Sequence, residues 1–537
     1  MASTQHQGRD AHAVAREWAA ATAFALSVYY CWAVTSGLAN LDGPGGEHGF
    51  DFRDTVWMPL RDFLAGGVPW DVDYYLTKFP YAQNFPLYTP SYWWFMAPFL
   101  VMPYRLGAGA WAVLAVYALV WLVHRSLRLI APRLLAEQPW LVAVGSVVLC
   151  MTRPGRAGIL SCNWAVFCAV AAGVLLMPIV RRWAVVGLVM TALVKPQAGL
   201  AALVEQVVLR RGRQVATAVG LSVLLSLPIG IITLVRLGGL DRAMEVLRKV
   251  LAVGDGPGTG PGEHSSTRID LYGTVGHVIG SAPPGWVALL CLLVSGALTL
   301  GVQAWAVRRV AWSDPWFLLA GGLGLCLVLP NQIYSVPVLV PALVALVLAF
   351  WRADEWRGRL LPGLALALLA VPFANTGPAF SILGMDNRQA NIVTGLALFA
   401  AAVLAAVQLL RGRGLPAVRG EGWPATREPV VVHARPAVLP AEHPEVQPVV
   451  DPEETVSPEI AAAESDEQSL ARDLLGPVRA VKAEKGRPYG LDERSHLVAA
   501  LVLVRSDRRV RAEGIAKVAI GEVEARKLPN RTLRLRA

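Results

Sequence analysis

Long apolar runs fenced by arginine and lysine leave this chain few ways to fold. In order they occupy 18–37, 106–123, 138–152, 161–180, 215–235, 283–307, 314–330, 334–351, 359–375 and 392–411. A bilayer core takes roughly 20 apolar residues of helix to cross. It offers no water to an unpaired N–H or C=O, so such runs must close their hydrogen bonds internally as helices. With 55% hydrophobic and 16% charged residues and a mean hydropathy of +0.46, the chain is expected to be an all-α polytopic membrane protein. A soluble enzyme is excluded on the same grounds. All six cysteines fall in or beside apolar runs with no zinc-type spacing, so neither a disulfide framework nor a thiolate metal site is expected.

Between Arg181-Arg182 and Arg210-Arg211 lies an apolar stretch interrupted by Lys195-Pro196. Its two basic ends should share one side of the membrane, so it reads as a hairpin of two short helices, raising the expected total to about 12 membrane helices. The net charge of +10 resides mostly at the ends of apolar runs and therefore reports topology before any nucleic-acid partner. Positive-inside counting places both termini on the cytoplasmic side of the membrane. The first span, with no small-residue cleavage site after it, is read as retained. The same counting sets the 50–104 loop, Arg153, Lys195, the 237–281 loop and 373–391 together on the outer side.

The stretch Phe50 to Tyr104 is the longest non-spanning segment before the tail. It holds five carboxylates (Asp51, Asp54, Asp62, Asp71, Asp73) and a crowd of aromatic rings. Two apolar pieces, Val56 to Leu64 and Tyr92 to Met102, are too short to cross and read as interfacial helices. Carboxylates at a membrane surface suit acid/base work on the head group of a lipid-borne substrate. They are also able to hold Mg2+, which the sequence neither requires nor excludes. Trp57, Trp70, Tyr74, Tyr75, Trp93 and Trp94 read as interfacial anchors more readily than as sugar-stacking platforms. The run Gly254 to Gly262 lacks the strand and the Lys-Ser/Thr of a phosphate-binding loop and reads as a flexible connection.

Four regions follow: a cytoplasmic N-terminus at 1–17, a membrane domain at 18–411, a Pro/Glu-rich linker at 412–470 and a small basic cytoplasmic segment at 471–537. The linker composition cannot bury enough apolar surface to fold onto the membrane domain. The basic end suits an anionic lipid leaflet or a cytoplasmic protein partner better than nucleic acid. Truncation after Gly414 is therefore expected to leave activity in detergent intact; loss of activity in the purified truncated protein would refute that division.

Motifs within the membrane domain carry a resemblance. Asp51-Phe52, Leu64 to Gly67, Pro69-Trp70-Asp71, Tyr88-x-Pro90, Pro98 and Pro103 are arranged as in the GT-C fold, polyprenyl-phosphate-sugar-dependent glycosyltransferases of family 87, the actinobacterial mannosyltransferase-like group. That family's G-Q-x-N segment is similar to Leu160-Ser161-Cys162-Asn163, its mid-membrane K-P to Lys195-Pro196, and its N-x-S-L-Y-G to Arg268 through Gly273. The likeness spans about 15–411, judged by motif order along the membrane domain. Only Asn163 survives of G-Q-x-N, Arg268 replaces an asparagine, and Asn331-Gln332 precede Pro341-Ala342-Leu343 where relatives carry a histidine.

The resemblance implies a membrane glycosyltransferase. It would move a sugar, mannose on the family pattern, from a polyprenyl phosphate donor to a glycolipid or cell-envelope glycan on the outer face. Such a transfer needs a base for the acceptor hydroxyl and positive charge for the departing phosphate. Asp51 is the expected base, with Asp54 one helical turn on as second choice. Either carboxylate alternatively caps the interfacial helix or pairs with Arg53, Arg61 or Lys78. Lys195, whose insertion costs about 2.5 to 3.5 kcal/mol, is the expected donor-phosphate partner, against a purely structural pair with Glu205. Arg268 and His277 are further phosphate candidates; Asn163, Tyr88, Tyr272, Asn331 and Gln332 are expected to bind substrate. A lipid-linked sugar flippase and a non-catalytic membrane scaffold for the tail remain alternatives, although no internal repeat of the transporter kind is visible.

Overall fold

The computed structural model describes residues 2–41, 43, 45–82, 89–254, 268–329, 332–374 and 382–412. Tyr88, Asn331, the glycine-rich run from 255 onward and the tail from 413 lie outside these. Among the described residues every regular element is a helix, and the only strand-like pairings are two isolated bridges, Leu38 with His48 and Arg268 with Gln332.

Seven helices among the described residues are long and apolar enough to cross a membrane: His12–Ser36, Tyr104–Ile130, Gly212–Leu237, Gly285–Ala306, Ile333–Arg352, Trp356–Ala374 and Asn387–Leu410. They are compatible with a membrane-embedded chain. Others of the expected spans are shorter. Leu141–Met151 stops where Thr152 turns extended ahead of Arg153-Pro154, and Ala165–Leu175 begins only after Cys162, which stands in the left-handed region at φ 58°. Eleven residues of helix rise only about 16 Å, half a bilayer core. Apolar composition alone did not reveal these breaks.

The hairpin forms as read. Arg181–Val194 ends at Lys195, whose backbone leaves the helical region (φ −133°, ψ 88°) as the residue before a proline tends to, and Pro196 opens Pro196–Val208 at a position needing no N–H donor. The arms pack closely because Gly199 faces the backbone of Ala192: a Cβ at 199 would lie 2.3 Å from the Ala192 Cα. Gly199→Ala is therefore expected to cost about 1 to 3 kcal/mol and lower the melting temperature in detergent. Gly212→Ala, with open space around its Cβ position, is the control expected to stay unchanged.

Contacts sort the connecting segments to the two ends of the bundle. At one end the Thr89 hydroxyl donates to the Leu193 carbonyl beside the hairpin tip, Gly49 N donates to Leu160 O at 2.7 Å, and the Tyr30 hydroxyl donates to Cys150 O at 2.5 Å. At the other, Arg211 donates to Leu175 O and Met177 O, and Arg125 to Pro178 O, closing off carbonyls past the end of Ala165–Leu175. The buried core runs between, with Trp111, Trp316 and Phe317 among its largest side chains. The first-loop end thus gathers the segments expected to share a side.

Candidate active site

Three consecutive helical pieces open the first loop: Phe50–Phe52, a π-helical turn at Arg53–Trp57, and Met58–Leu64. A π turn breaks the i to i+4 ladder and frees carbonyls that must find other donors. Tyrosines supply them. The Tyr75 hydroxyl donates to Asp54 O at 2.7 Å, and the Tyr92 hydroxyl donates to Thr55 O. Arg53, fully buried, pairs with Asp54 at 2.5 Å and reaches Asn40 O at 2.8 Å and Tyr81 O at 3.0 Å, tying both flanks of the loop to this turn.

The five carboxylates are all held by partners within the fold. Asp54 is paired with Arg53, Asp62 with Lys78, Asp71 with Arg242 and Asp73 with Lys249. Asp51, 6% exposed, accepts a hydrogen bond from Asn163 Nδ2 at 2.8 Å. The Asn163 Oδ1 in turn accepts from Ala165 N at 2.8 Å, which fixes the amide with its NH2 toward the carboxylate. The left-handed Cys162 makes that approach possible by turning the chain sharply between Arg153–Ser161 and Ala165–Leu175. Thus Asp51 and Asn163, both expected in the site, meet across 112 residues of sequence, whereas Asp54 is built into a buried ion pair.

One residue not expected there joins them. Tyr334, in the 3-10 turn Ile333–Leu339, packs over Gly158 and lies within electrostatic range of both Asp51 and Arg153. The detectable signal was the bulky phenol two residues after Gln332; nothing in its local sequence shows which helix it would face.

A second cluster is cationic. Lys195, 8% exposed, lies within electrostatic range of Asp270, Arg268 and the thiols of Cys168 and Cys326. Arg268 holds Asp270 at 2.7 Å, bridges by its backbone to Gln332, and lies 5.5 Å from the centre of the Tyr272 ring. Asp270 also caps the helix Leu271–Ile279 through Gly273 N, so the Arg-x-Asp spacing was readable as a cap joined to an ion pair. Tyr272 donates its hydroxyl to Pro283 O at 2.7 Å. His277 is fully buried beside this cluster, and burial holds its imidazole below the ordinary pKa, toward the neutral form that offers no charge to a phosphate. Glu205 sits beside Gln303 and Arg211, not beside Lys195.

The two clusters adjoin. Asn163, just ahead of the helix Ala165–Leu175, and Cys168, in its first turn, border them five residues apart, and Gln332 and Tyr334 are two residues apart at one short turn. Most of the loop aromatics are neither anchors nor open platforms: Trp57, Trp70, Tyr75 and Trp93 are buried, and Phe63, Trp70 and Trp93 pack ring to ring at 4.0 to 5.7 Å. Trp94 alone of the tryptophans in that group is exposed. Among the described residues no three His, Cys, Asp or Glu side chains are grouped to hold a metal ion. An open cavity of about 460 Å³ lies elsewhere, between Gly66–Val68, Lys78, Arg236 and Arg242.

Neither protein-family models, nor curated sequences, nor solved structures give a match to this chain.

Proposed function

We propose that the chain is a membrane glycosyltransferase of GT-C type, with about 12 membrane helices in all, using a polyprenyl phosphate sugar and acting on a glycolipid or glycan acceptor at the outer face. The observation that carries this reading is the buried hydrogen bond from Asn163 to Asp51, with the Lys195–Arg268–Asp270 cluster alongside. The amide donor orients the carboxylate, the group proposed to take the acceptor's proton.

In the proposed reaction the acceptor oxygen forms a bond to the anomeric carbon, and its proton passes to Asp51. The bond from that carbon to the phosphate oxygen breaks, and its electron pair leaves with the polyprenyl phosphate. Lys195 and Arg268 stabilise the charge that accumulates there; Asp270 keeps the Arg268 guanidinium in place. Tyr334 and Arg153 border the carboxylate where the acceptor hydroxyl would approach.

The test is direct. Purified full-length protein in detergent is given a panel of labelled polyprenyl phosphate sugars, mannose first, with extracted envelope lipids as acceptor. Transfer of label with release of polyprenyl phosphate is the expected result. Movement of the intact lipid across a vesicle without release would identify a flippase; neither outcome, with any donor, would leave a scaffold and overturn the reading.

A further inference from the structure

The helix Leu240–Gly254 has no part in the chemistry above, yet its surface is sharply divided. It follows Gly212–Leu237, whose outward face is apolar and exposed through Leu224, Leu227, Ile231 and Val235. That helix ends in a glycine cap: Gly238 and Gly239 both take positive φ, Gly238 N donates to Val235 O, and Gly239 N donates to Leu234 O. Residues with side chains would resist this conformation, and it turns the chain off the line of the span within two residues.

After the turn, Leu240, Met244 and Leu247 are 66%, 42% and 46% exposed. Their i, i+4, i+7 spacing puts them on one narrow stripe. On another side, Val246 is buried and Val250 packs near Val72 and Tyr75 of the first loop. Two of the helix's three cations are held within the fold, and Arg248 is exposed. Arg242 pairs with Asp71 at 2.7 Å and with Glu245, and Lys249 pairs with Asp73 at 2.5 Å and with Glu245. The exposed stripe thus begins five residues after Val235 and is itself apolar, with Arg248 at its flank.

We propose that Leu240–Gly254 is an in-plane membrane helix whose Leu240, Met244 and Leu247 stripe seats among lipid acyl chains regardless of head-group charge, holding the Val72–Lys78 helix of the first loop at the bilayer surface through Asp71 and Asp73. The occupant is lipid because the stripe continues the exposed apolar face of an adjoining membrane-crossing helix. A polybasic cluster is not what this surface offers: Arg242 and Lys249 are already held by carboxylates within 2.7 Å, which leaves Arg248 as the one cation of the helix outside those pairs. This inference is independent of the reaction the site performs.

An environment-sensitive fluorophore on Leu247→Cys, compared with Arg248→Cys, tests it in full-length protein reconstituted in nanodiscs of zwitterionic lipid alone or with added anionic lipid. The parent protein, whose cysteines are mostly buried, supplies the labelling background. At 247 the emission is expected to be blue-shifted and quenched by spin-labelled acyl chains at least about threefold more than at 248, equally in both lipids, while aqueous iodide prefers 248. Equal iodide quenching at both positions would overturn the proposal, because the stripe would then face water. Blue-shifted emission without acyl-chain quenching would overturn it in favour of a second protein copy, and acyl-chain quenching confined to anionic nanodiscs would overturn the apolar seat.

Discussion

Asp51→Asn is expected to lower sugar transfer at least about a hundredfold, the usual scale for losing a general base, while the protein still folds. The substitution keeps the size of the side chain and leaves the Thr55 hydroxyl bonded to the residue 51 carbonyl at 2.5 Å. It removes the negative charge and the proton-accepting oxygen. The matching change at Asp54 should behave differently. Asp54→Asn strips the buried Arg53 of its counter-charge, and uncompensated buried charges cost about 3 to 5 kcal/mol, so loss of folded protein is expected ahead of any kinetic effect. Melting curves and initial rates of both variants separate the two roles. Activity of Asp51→Asn within a few-fold of the parent would remove Asp51 as the base and return the role to Asp54.

Lys195→Met is expected to reduce kcat/KM for the lipid donor about ten- to a hundredfold with little change in the acceptor KM, because an electrostatic contact to a departing phosphate is lost. The hairpin should survive. Its break is set by Pro196 and by Gly199 against Ala192, both independent of the ammonium, and Glu205 is turned toward Gln303 and Arg211. Lys195→Arg is not expected to restore donor use, since a planar fork does not replace a compact ammonium between Cys168 and Cys326. If Lys195→Met instead collapses thermal stability with donor affinity unchanged, Lys195 serves as the structural counter-ion of Asp270.

Much of this architecture was legible in the residues. Proline after Lys195, basic clusters at run ends and apolar run lengths locate most helices within a few positions. Local rules also explain the caps at Asp71, Asp270, Asp314 and Asp386. What the sequence conceals is whatever depends on tertiary contact. No spacing rule pairs Asp51 with Asn163 across 112 residues, or sets Tyr334 beside Arg153. Adjacent residues such as Arg53 and Asp54 normally point to different faces of a helix; only the widened π turn and the surrounding carbonyls let them pair. The short helices at Leu141–Met151 and Ala165–Leu175 depend on the conformations of Thr152 and Cys162, neither of which is a recognised helix breaker. The loop tryptophans carried the composition of membrane anchors, but mutual packing claimed four of the six aromatic residues considered.

The π turn at Arg53–Trp57 makes this region sensitive to residue count as well as residue type. Such a turn holds one residue more than the α-helical ladder requires. Removing that residue would let the backbone relax into regular helix, yet every position before it, Asp51 included, would rotate by about 100° against Met58–Leu64. The carboxylate would swing off Asn163, and the carbonyls that meet Tyr75 and Tyr92 would turn inward. Substitutions here alter one contact each; a change in chain length of a single residue resets the phase of the whole site.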